Sequence, residues 1–357
     1  MKNWLKKIKE KILSWSSDDI GIDLGTANTL VYVKGRGIVI NEPSMVALNS
    51  KTGQVVAVGK MAKDMLGRTP THIEAVQPVV DGVISDFEIT EEMLSYLINK
   101  AGKGQMRLLG PRVVVGVPSG ITNVEVRAVE DAARNAGARE VHIVEEPMAA
   151  AVGIKLPVKD PSGSMVVDIG GGTTDIGIVS LGGLVNARNI CVAGDTFNDD
   201  IINYVRGEFK ILIGKKSAED VKILASAVLE QDESLEANVR GRDLVTGLPR
   251  EVIITDSDIR EAINASVSRL VDSVKDVLET TPPEVISDIM KRGVYLTGGG
   301  ALIRGLAELL SDELGVPVRV ADEPLTAVVR GTSMILEDTI GFKEALITHD
   351  HEFSPTE

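Results

Sequence analysis

MVVDIGGGTTDIGIV, Met165 to Val179, reads as an apolar strand, an aspartate, a run of glycines and a second apolar strand. Earlier the chain reads IGIDLGTANTLVYV, Ile20 to Val33, with the same grammar. Aligning Asp23 with Asp168, 145 residues apart, places Gly25 on Gly170 and Val33 on Ile178. That period is too long for a solenoid and reads as an internal duplication. It predicts two similar units, each opening with a β-hairpin whose turn holds an acid and glycines.

Working outward, PRVVVGVP (Pro111–Pro118) reads as a buried strand, and VEVRAVEDAARNAG (Val124–Gly137) as a helix closed by glycine. VHIVEEPMAAAVG runs from a strand into a small-residue helix. RGVYLTGGGALIRGLAELLSDELG is a strand, a glycine turn and an amphipathic helix ending on Gly315. Alternating apolar strands and helices argue for α/β layers.

The bulk numbers exclude several classes. A net charge of −14 over 357 residues argues against nucleic acid as the main partner, because neutralising phosphates needs clustered Lys and Arg. The single cysteine, Cys191, rules out a disulfide framework and is expected as a small buried apolar residue. No apolar run approaches the ~20 residues of a membrane span.

A turn that grips a polyphosphate needs bare backbone N–H groups near the ligand, which glycine and small residues permit. Gly25-Thr26-Ala27-Asn28 and Gly170-Gly171-Gly172-Thr173-Thr174 meet that demand, each following an aspartate at a strand end. Carboxylates beside phosphates need a cation between them, so Mg²⁺ is implied at Asp23 and Asp168. One glycine turn alone is more often just a tight hairpin. Two with matching aspartates are more specific. There is no GxxxxGK[ST] loop and no GxGxxG opening a helix, so P-loop and dinucleotide readings lose their main support.

IDLGTANT and VDIGGGTTD resemble the two phosphate segments of the actin, DnaK-type chaperone and sugar-kinase superfamily. VEEPMAAAVG resembles its segment joining the lobes, and YLTGGGALIRGL its adenosine segment. Within it the chain is similar to the MreB family of bacterial cell-shape actins, through runs such as GRGIVINEPS, DGVISDFEIT, AGDTF, RGRDLVTGLPR and EPLTAVVRG. The resemblance implies an actin-like α/β fold of two ribonuclease-H-like lobes, each with a small subdomain, with nucleotide in the central cleft. It implies subdomain IA at 16–47, 81–160 and 330–351, IB at 48–80, IIA at 161–196 and 261–329, IIB at 197–260, and a disordered tail at 352–357.

The same resemblance supplies roles. Asp23 and Asp168 would hold Mg²⁺ through water. Gly25 to Asn28 and Gly170 to Thr174 would cradle the phosphates. Glu146 would orient the attacking water, with Thr173 opposite it. Glu219, Lys222 and Ser226 would meet the adenosine, and Gly298, Gly299, Gly300, Ala301 and Leu302 would close over the base and ribose. Glu145 is expected as structural. Read without the family, Glu146 is also a helix N-terminal acid favoured by the dipole, and Glu219 and Lys222 an exposed helix face. Leu224 stands where the family commonly has an acid, so ATP and GTP both stay open as the nucleotide. Asp175 stands where MreB more often has Glu. The implied function is a weak ATPase that forms homopolymeric filaments on the inner face of the cytoplasmic membrane. There it would organise wall elongation and rod shape, with partners of the MreC, MreD and RodZ type. A sugar kinase on this fold would need a substrate acid or base in the cleft and a larger acceptor insertion. A chaperone ATPase would need a following peptide-binding domain.

The first fifteen residues, MKNWLKKIKEKILSW, differ from the rest: they hold five lysines. On a helix Trp4, Leu5, Ile8, Ile12 and Trp15 fall within an arc of roughly 100°. A secretory signal would need an unbroken apolar core after the lysines. Apolar face, lysine flanks and tryptophans fit a helix lying in a membrane surface. The family resemblance makes the loop with Leu108 and Leu109 a second insertion point. A Trp4→Glu, Ile8→Glu double variant should therefore keep nucleotide binding and fail to float with anionic liposomes. The helix reading falls if that variant co-floats like the native chain, or loses nucleotide binding as well.

Overall fold

The computed structural model describes residues 19–102, 110–230 and 232–347. The expected membrane helix carrying Trp4 to Trp15, the Leu108–Leu109 loop and the tail at 352–357 lie outside the described residues. The chain divides into two units. One comprises the chain up to Pro161 with Val179–Leu184 and the segment from Thr326 onward; the other comprises Ser162–Ile178 and Val185–Leu325.

The first unit begins with β1 (Ile20–Leu24), β2 (Asn28–Val33) and β3 (Gly37–Pro43), a meander of antiparallel neighbours. Next come β4 (Val46–Asn49), β5 (Val55–Val58), α1 (Lys60–Met65) and β6 (Ile73–Val76), in which β4 pairs with both β5 and β6. The short pair β7 (Val79–Val80) and β8 (Val83–Ile84) leads into α2 (Phe87–Ala101). Then β9 (Arg112–Val117), α3 (Asn123–Asn135), β10 (Glu140–Glu145) and α4 (Glu146–Gly153) follow. Helix α3 starts on a capping box: the Thr122 hydroxyl accepts from the Glu125 N–H, and the Glu125 carboxylate accepts from the Thr122 N–H.

The second unit repeats the plan. It holds β11 (Ser164–Ile169), β12 (Thr174–Ser180), β13 (Gly183–Ile190), α5 (Gly194–Tyr204), a π-helical turn (Val205–Phe209), β14 (Ile211–Leu212), α6 (Lys215–Ala225), β15 (Glu236–Asp243) and β16 (Pro249–Thr255). After these come α7 (Asp256–Glu279), α8 (Pro283–Arg292), β17 (Val294–Thr297), α9 (Leu306–Leu314) and β18 (Val318–Val320). The chain then returns to the first unit as α10 (Ala327–Glu337).

The two main sheets run β10-β9-β1-β2-β3 and β13-β12-β11-β17-β18. In both, three consecutive strands lie side by side, and two later strands add in parallel on the first strand's free edge. The sequence duplication is thus a duplication of topology. Apolar, largely β-branched residues fill both cores, Ile22, Val115 and Ile143 in one and Val167, Ile176 and Leu296 in the other.

Two outer strands, β10 and β13, have neighbours beyond their sheets. Leu346 bridges to Val144 on β10, and the Ile347 N–H donates to the Ile143 carbonyl. On β13, Asn186 donates to the Val277 carbonyl and Arg188 pairs with Asp276, both on α7. Cys191 departs from expectation: it is exposed. It follows β13 directly, an edge strand none of whose residues is fully buried, so the position lacks a second layer to cover it.

Helices α4 and α10 touch backbone to backbone. A Cβ added to Gly153 would lie 1.9 Å from the Ala327 carbonyl oxygen, and one on Gly331 1.7 Å from that of Ala149. This contact seats the helix whose first residue is Glu146. Gly331→Ala should cost at least ~2–3 kcal/mol through overpacking. The midpoint of urea unfolding would read it, with Gly207→Ala, which meets nothing within 4 Å, as the control that stays near wild type.

Candidate functional site

In the first unit the expected residues gather at one end of the sheet. Asp23 pairs with Gly116 across the β1–β9 ladder, and Gly116 with Val144 across β9–β10. A Cβ on Gly116 would approach the Glu146 Cγ to 3.8 Å. Asp23, Gly116 and Glu146 are therefore neighbours, and Glu146 is buried. Glu145 points to the adjoining loop instead, accepting from the Gly120 N–H, and burial raises its pKa.

Side chains brace the Gly25–Asn28 turn. Ser44 donates to the Gly25 carbonyl and shares a hydrogen bond with Thr29. The Thr26 hydroxyl accepts from the Gly82 N–H at 2.9 Å, and the Ser44 N–H donates to the Ala27 carbonyl. Asn28 is left exposed at the start of β2.

In the second unit, backbone braces the turn. The Gly170 N–H donates to the Thr173 carbonyl, closing Gly170–Thr173 on itself. The first amides of α5 reach the same turn: Gly194 N–H to the Gly170 carbonyl at 3.1 Å, Asp195 N–H to the Gly171 carbonyl at 2.7 Å. From α6, the Lys222 Nζ donates to the Gly194 carbonyl at 2.7 Å. Glu219, on the same helix, adds to the rise that burial imposes on the Asp195 carboxyl, against the pull of Lys222 and Lys215. Thr173 is buried, and the Thr174 hydroxyl donates to the Val192 carbonyl. Asp175 is buried and accepts from Asn189.

The Gly298–Leu302 segment belongs to the same region. Gly298 has φ +77°, and a Cβ there would lie 2.3 Å from the Ile169 carbonyl oxygen, beside Asp168. Arg304 ties this segment to the end of α6, donating to the Leu224 carbonyl and accepting from the Val228 N–H. Ser226 caps α6 through its backbone N–H, and its buried hydroxyl has no hydrogen-bond partner; Asn198 Oδ1 is in the same condition. Buried polar atoms without partners are what a site shows when a ligand or water is to supply them. Leu224 is exposed and offers no polar atom from its side chain.

Asp168 is the most informative group. Desolvation by burial raises its pKa to about 6, with a small opposing pull from the Thr297 hydroxyl. A carboxylate held dry beside amide-rich turns suits a cation. Among the described residues no cluster of three or more metal-ligating side chains exists. A cation at Asp168 would therefore take its remaining ligands from water and phosphate oxygens.

A family model described as MreB/Mbl protein matches residues 17–344. The chain belongs to the MreB/Mbl family. It is 50% identical over 321 residues to the cell shape-determining protein Mbl of Bacillus subtilis (strain 168), covering 90% of this chain and 96% of that one. To the cell shape-determining protein MreB of Escherichia coli (strain K12) it is 49% identical over 332 residues, 92% of this chain and 96% of the relative. The crystal structure of MreB5 of Spiroplasma citri bound to AMPPNP superposes with a TM-score of 0.87 at 41% identity, covering 92% and 98% of the two chains. The MamK double helical filament, at 22% identity and TM-score 0.77, shares the fold. The fold is thus actin-like, and this MreB/Mbl chain is an actin-like cell shape-determining protein.

Four contributors to the MreB/Mbl site were not singled out from sequence: Gly194 and Asp195 of the AGDTF run, Ser44, and Thr297. All four lie in quoted family runs, AGDTF, GRGIVINEPS and YLTGGGALIRGL, but no run marks which of its residues reaches the site. The buried carboxyl generates a prediction of sign. With its pKa raised above the ordinary 3.8, Asp168 makes the ligand-free chain less stable as pH rises through the window from about 4 to 6. Asp168→Asn should therefore raise ligand-free stability at pH 7.5, by roughly 1–3 kcal/mol, while abolishing the extra stabilisation that Mg·ATP gives the native chain. Thermal melts with and without Mg·ATP read both; a variant less stable when ligand-free would sink the argument.

Proposed function

We propose that this chain binds ATP with Mg²⁺, hydrolyses it slowly and assembles into filaments on the inner face of the cytoplasmic membrane, where it organises wall elongation. The carrying observation is the second-unit site, where a desolvated Asp168 adjoins a glycine turn backed by the first amides of α5. Hydrolysis mostly requires positioning and charge stabilisation. Mg²⁺, when bound, would neutralise phosphate charge. The chain's own residues do the rest.

Asp23 and Asp168 would hold Mg²⁺ through water. Gly25–Asn28 and Gly170–Thr174 offer N–H groups and hydroxyls to phosphate oxygens. Glu146, buried and seated by the α4–α10 contact, aligns the attacking water, and Thr173 adds a hydroxyl. Lys222, Glu219 and Ser226 meet the nucleoside, and Gly298 to Leu302 close over it. The bare Leu224 side chain is compatible with ATP or GTP. The separate three-stranded sheets β4–β6 and β14–β16 support a four-subdomain division with small subdomains at 48–80 and 197–260.

Membrane contact would come from Trp4, Leu5, Ile8, Ile12 and Trp15, with Leu108 and Leu109. Among the described residues no helix is long and apolar enough to cross a membrane. Partners of the MreC, MreD and RodZ type follow from the family. Glu146→Ala should keep Mg·ATP affinity while phosphate release falls ~10²-fold or more, the usual loss for a removed catalytic base or water guide. Phosphate release equal to wild type would remove Glu146 from the mechanism.

A further inference from the structure

One peptide group joins α6 to the Gly170–Thr173 turn. It is the link between Gly194 and Asp195, at the start of α5. Its oxygen accepts from the Lys222 Nζ at 2.7 Å, and its N–H donates to the Gly171 carbonyl at 2.7 Å. The preceding peptide makes a useful comparison. Its oxygen, that of Ala193, accepts from an ordinary amide, Phe197 N–H, and its own N–H reaches the Gly170 carbonyl at 3.1 Å. An ammonium on a peptide oxygen draws charge through the amide and makes its N–H a stronger donor. The shorter bond to the turn is the one made by the peptide that holds the ammonium.

The space around this peptide suits the contact. A Cβ on Gly194 would lie 3.1 Å from the Lys222 Nζ, 3.3 Å from the Gly170 carbonyl oxygen and 3.5 Å from the Gly171 Cα. A bare Cα lets all three approach. Charge keeps the ammonium there too. The Asp195 carboxylate is drawn to Lys222 and Lys215 and repelled by Glu219, and Asn198 donates to it at 3.4 Å. Lys222 is thus drawn to a carbonyl and a carboxylate of consecutive residues.

The consequence lies in the turn. A trans peptide points its C=O and its N–H in opposite directions. The Gly170 carbonyl is held toward α5, so the Gly171 N–H faces away from that helix. The Gly171 carbonyl is held toward α5 as well, so the Gly172 N–H also faces away. Two successive amides are turned to one side, the arrangement that receives an anion. A run of three glycines would otherwise sample many backbone states. Fastening two of its carbonyls removes that freedom before a ligand arrives.

We infer that Lys222 is a positioning residue for phosphate: through the Gly194–Asp195 peptide it aims the Gly171 and Gly172 amides at the ligand. This rests on the nucleotide reading above and adds to it. The contact proposed there is with the nucleoside, and this one serves the opposite end of the nucleotide.

The test uses the full chain. Lys222→Met keeps a long, helix-compatible side chain and removes the ammonium. Mg·ATP and Mg·tripolyphosphate should both bind at least ~10-fold more weakly, and by the same factor, because a charge-assisted bond that arranges the phosphate turn is lost. In the ligand-free variant the Asp195 amide proton should move upfield in the NMR spectrum, and those of Gly171 and Gly172 should shift with it. A residue that acts only by touching the nucleotide leaves those signals in place. The thermal midpoint without ligand controls for folding. Lys222→Gln, uncharged and polar, carries the same expectations and takes the place of Lys222→Met should the latter not fold.

Weaker Mg·ATP binding with Mg·tripolyphosphate binding unchanged overturns the inference, since Lys222 would then serve the nucleoside alone. Unmoved Asp195, Gly171 and Gly172 amide signals overturn it as well. A native chain that takes Mg·ATP and refuses Mg·tripolyphosphate at millimolar concentration does the same, because a turn arranged beforehand holds phosphates by themselves. A native chain that binds neither removes the nucleotide reading and this role with it.

Discussion

Ile169 lies so close to Gly298, through its carbonyl oxygen, and to Gly300, through its side-chain Cγ2, that neither position can carry a side chain. That approach presses one turn onto the end of β11 and shuts water out around Asp168. From the dryness follows the raised pKa, and from the raised pKa the demand for a cation. The amides of Gly194 and Asp195 are held by the same turn system, so α5 is anchored where charge would be bound. The first N–H groups of α5 are thus spent on the turn's carbonyls, so the helix and the turn are coupled through backbone and any shift of one is felt by the other.

The two units solve one problem in different materials. In the first, hydroxyls from distant segments hold the turn: Ser44 on Gly25, Thr26 on Gly82. In the second, the turn is held by backbone and by Lys222 acting through Gly194. Glu146, the one carboxylate proposed to act on water, has its seat in the first unit, while the lysine proposed to meet the nucleoside is in the second. Duplication supplied the frame, and divergence distributed the chemistry over it.

Much of this was legible in the chain. Asp23, Asp168 and their glycine turns declare themselves because a strand, an acid and a glycine run are local patterns, and the repeat makes each copy support the other. Gly315 ends α9 with φ +66°, as its position predicts. What stayed hidden is tertiary. An amide of Gly194 aimed at a carbonyl 24 residues earlier has no side-chain signature. Ser44 is an ordinary serine until the fold brings it 2.8 Å from Thr29. Cys191 was misread because the burial typical of a free thiol is an average, and an edge strand with one covered face does not meet it.

The contacts on two outer strands of the main sheets, β10 and β13, have a bearing on reversibility. A strand edge left bare recruits foreign strands through its backbone, and the assemblies so formed are hard to undo. Here Leu346 and Ile347 cover one edge and the end of α7 covers another. Association is thereby steered to side-chain surfaces, whose contacts are individually weak. An assembly made through such contacts would come apart readily, where one made through bare strand edges hardens into deposits.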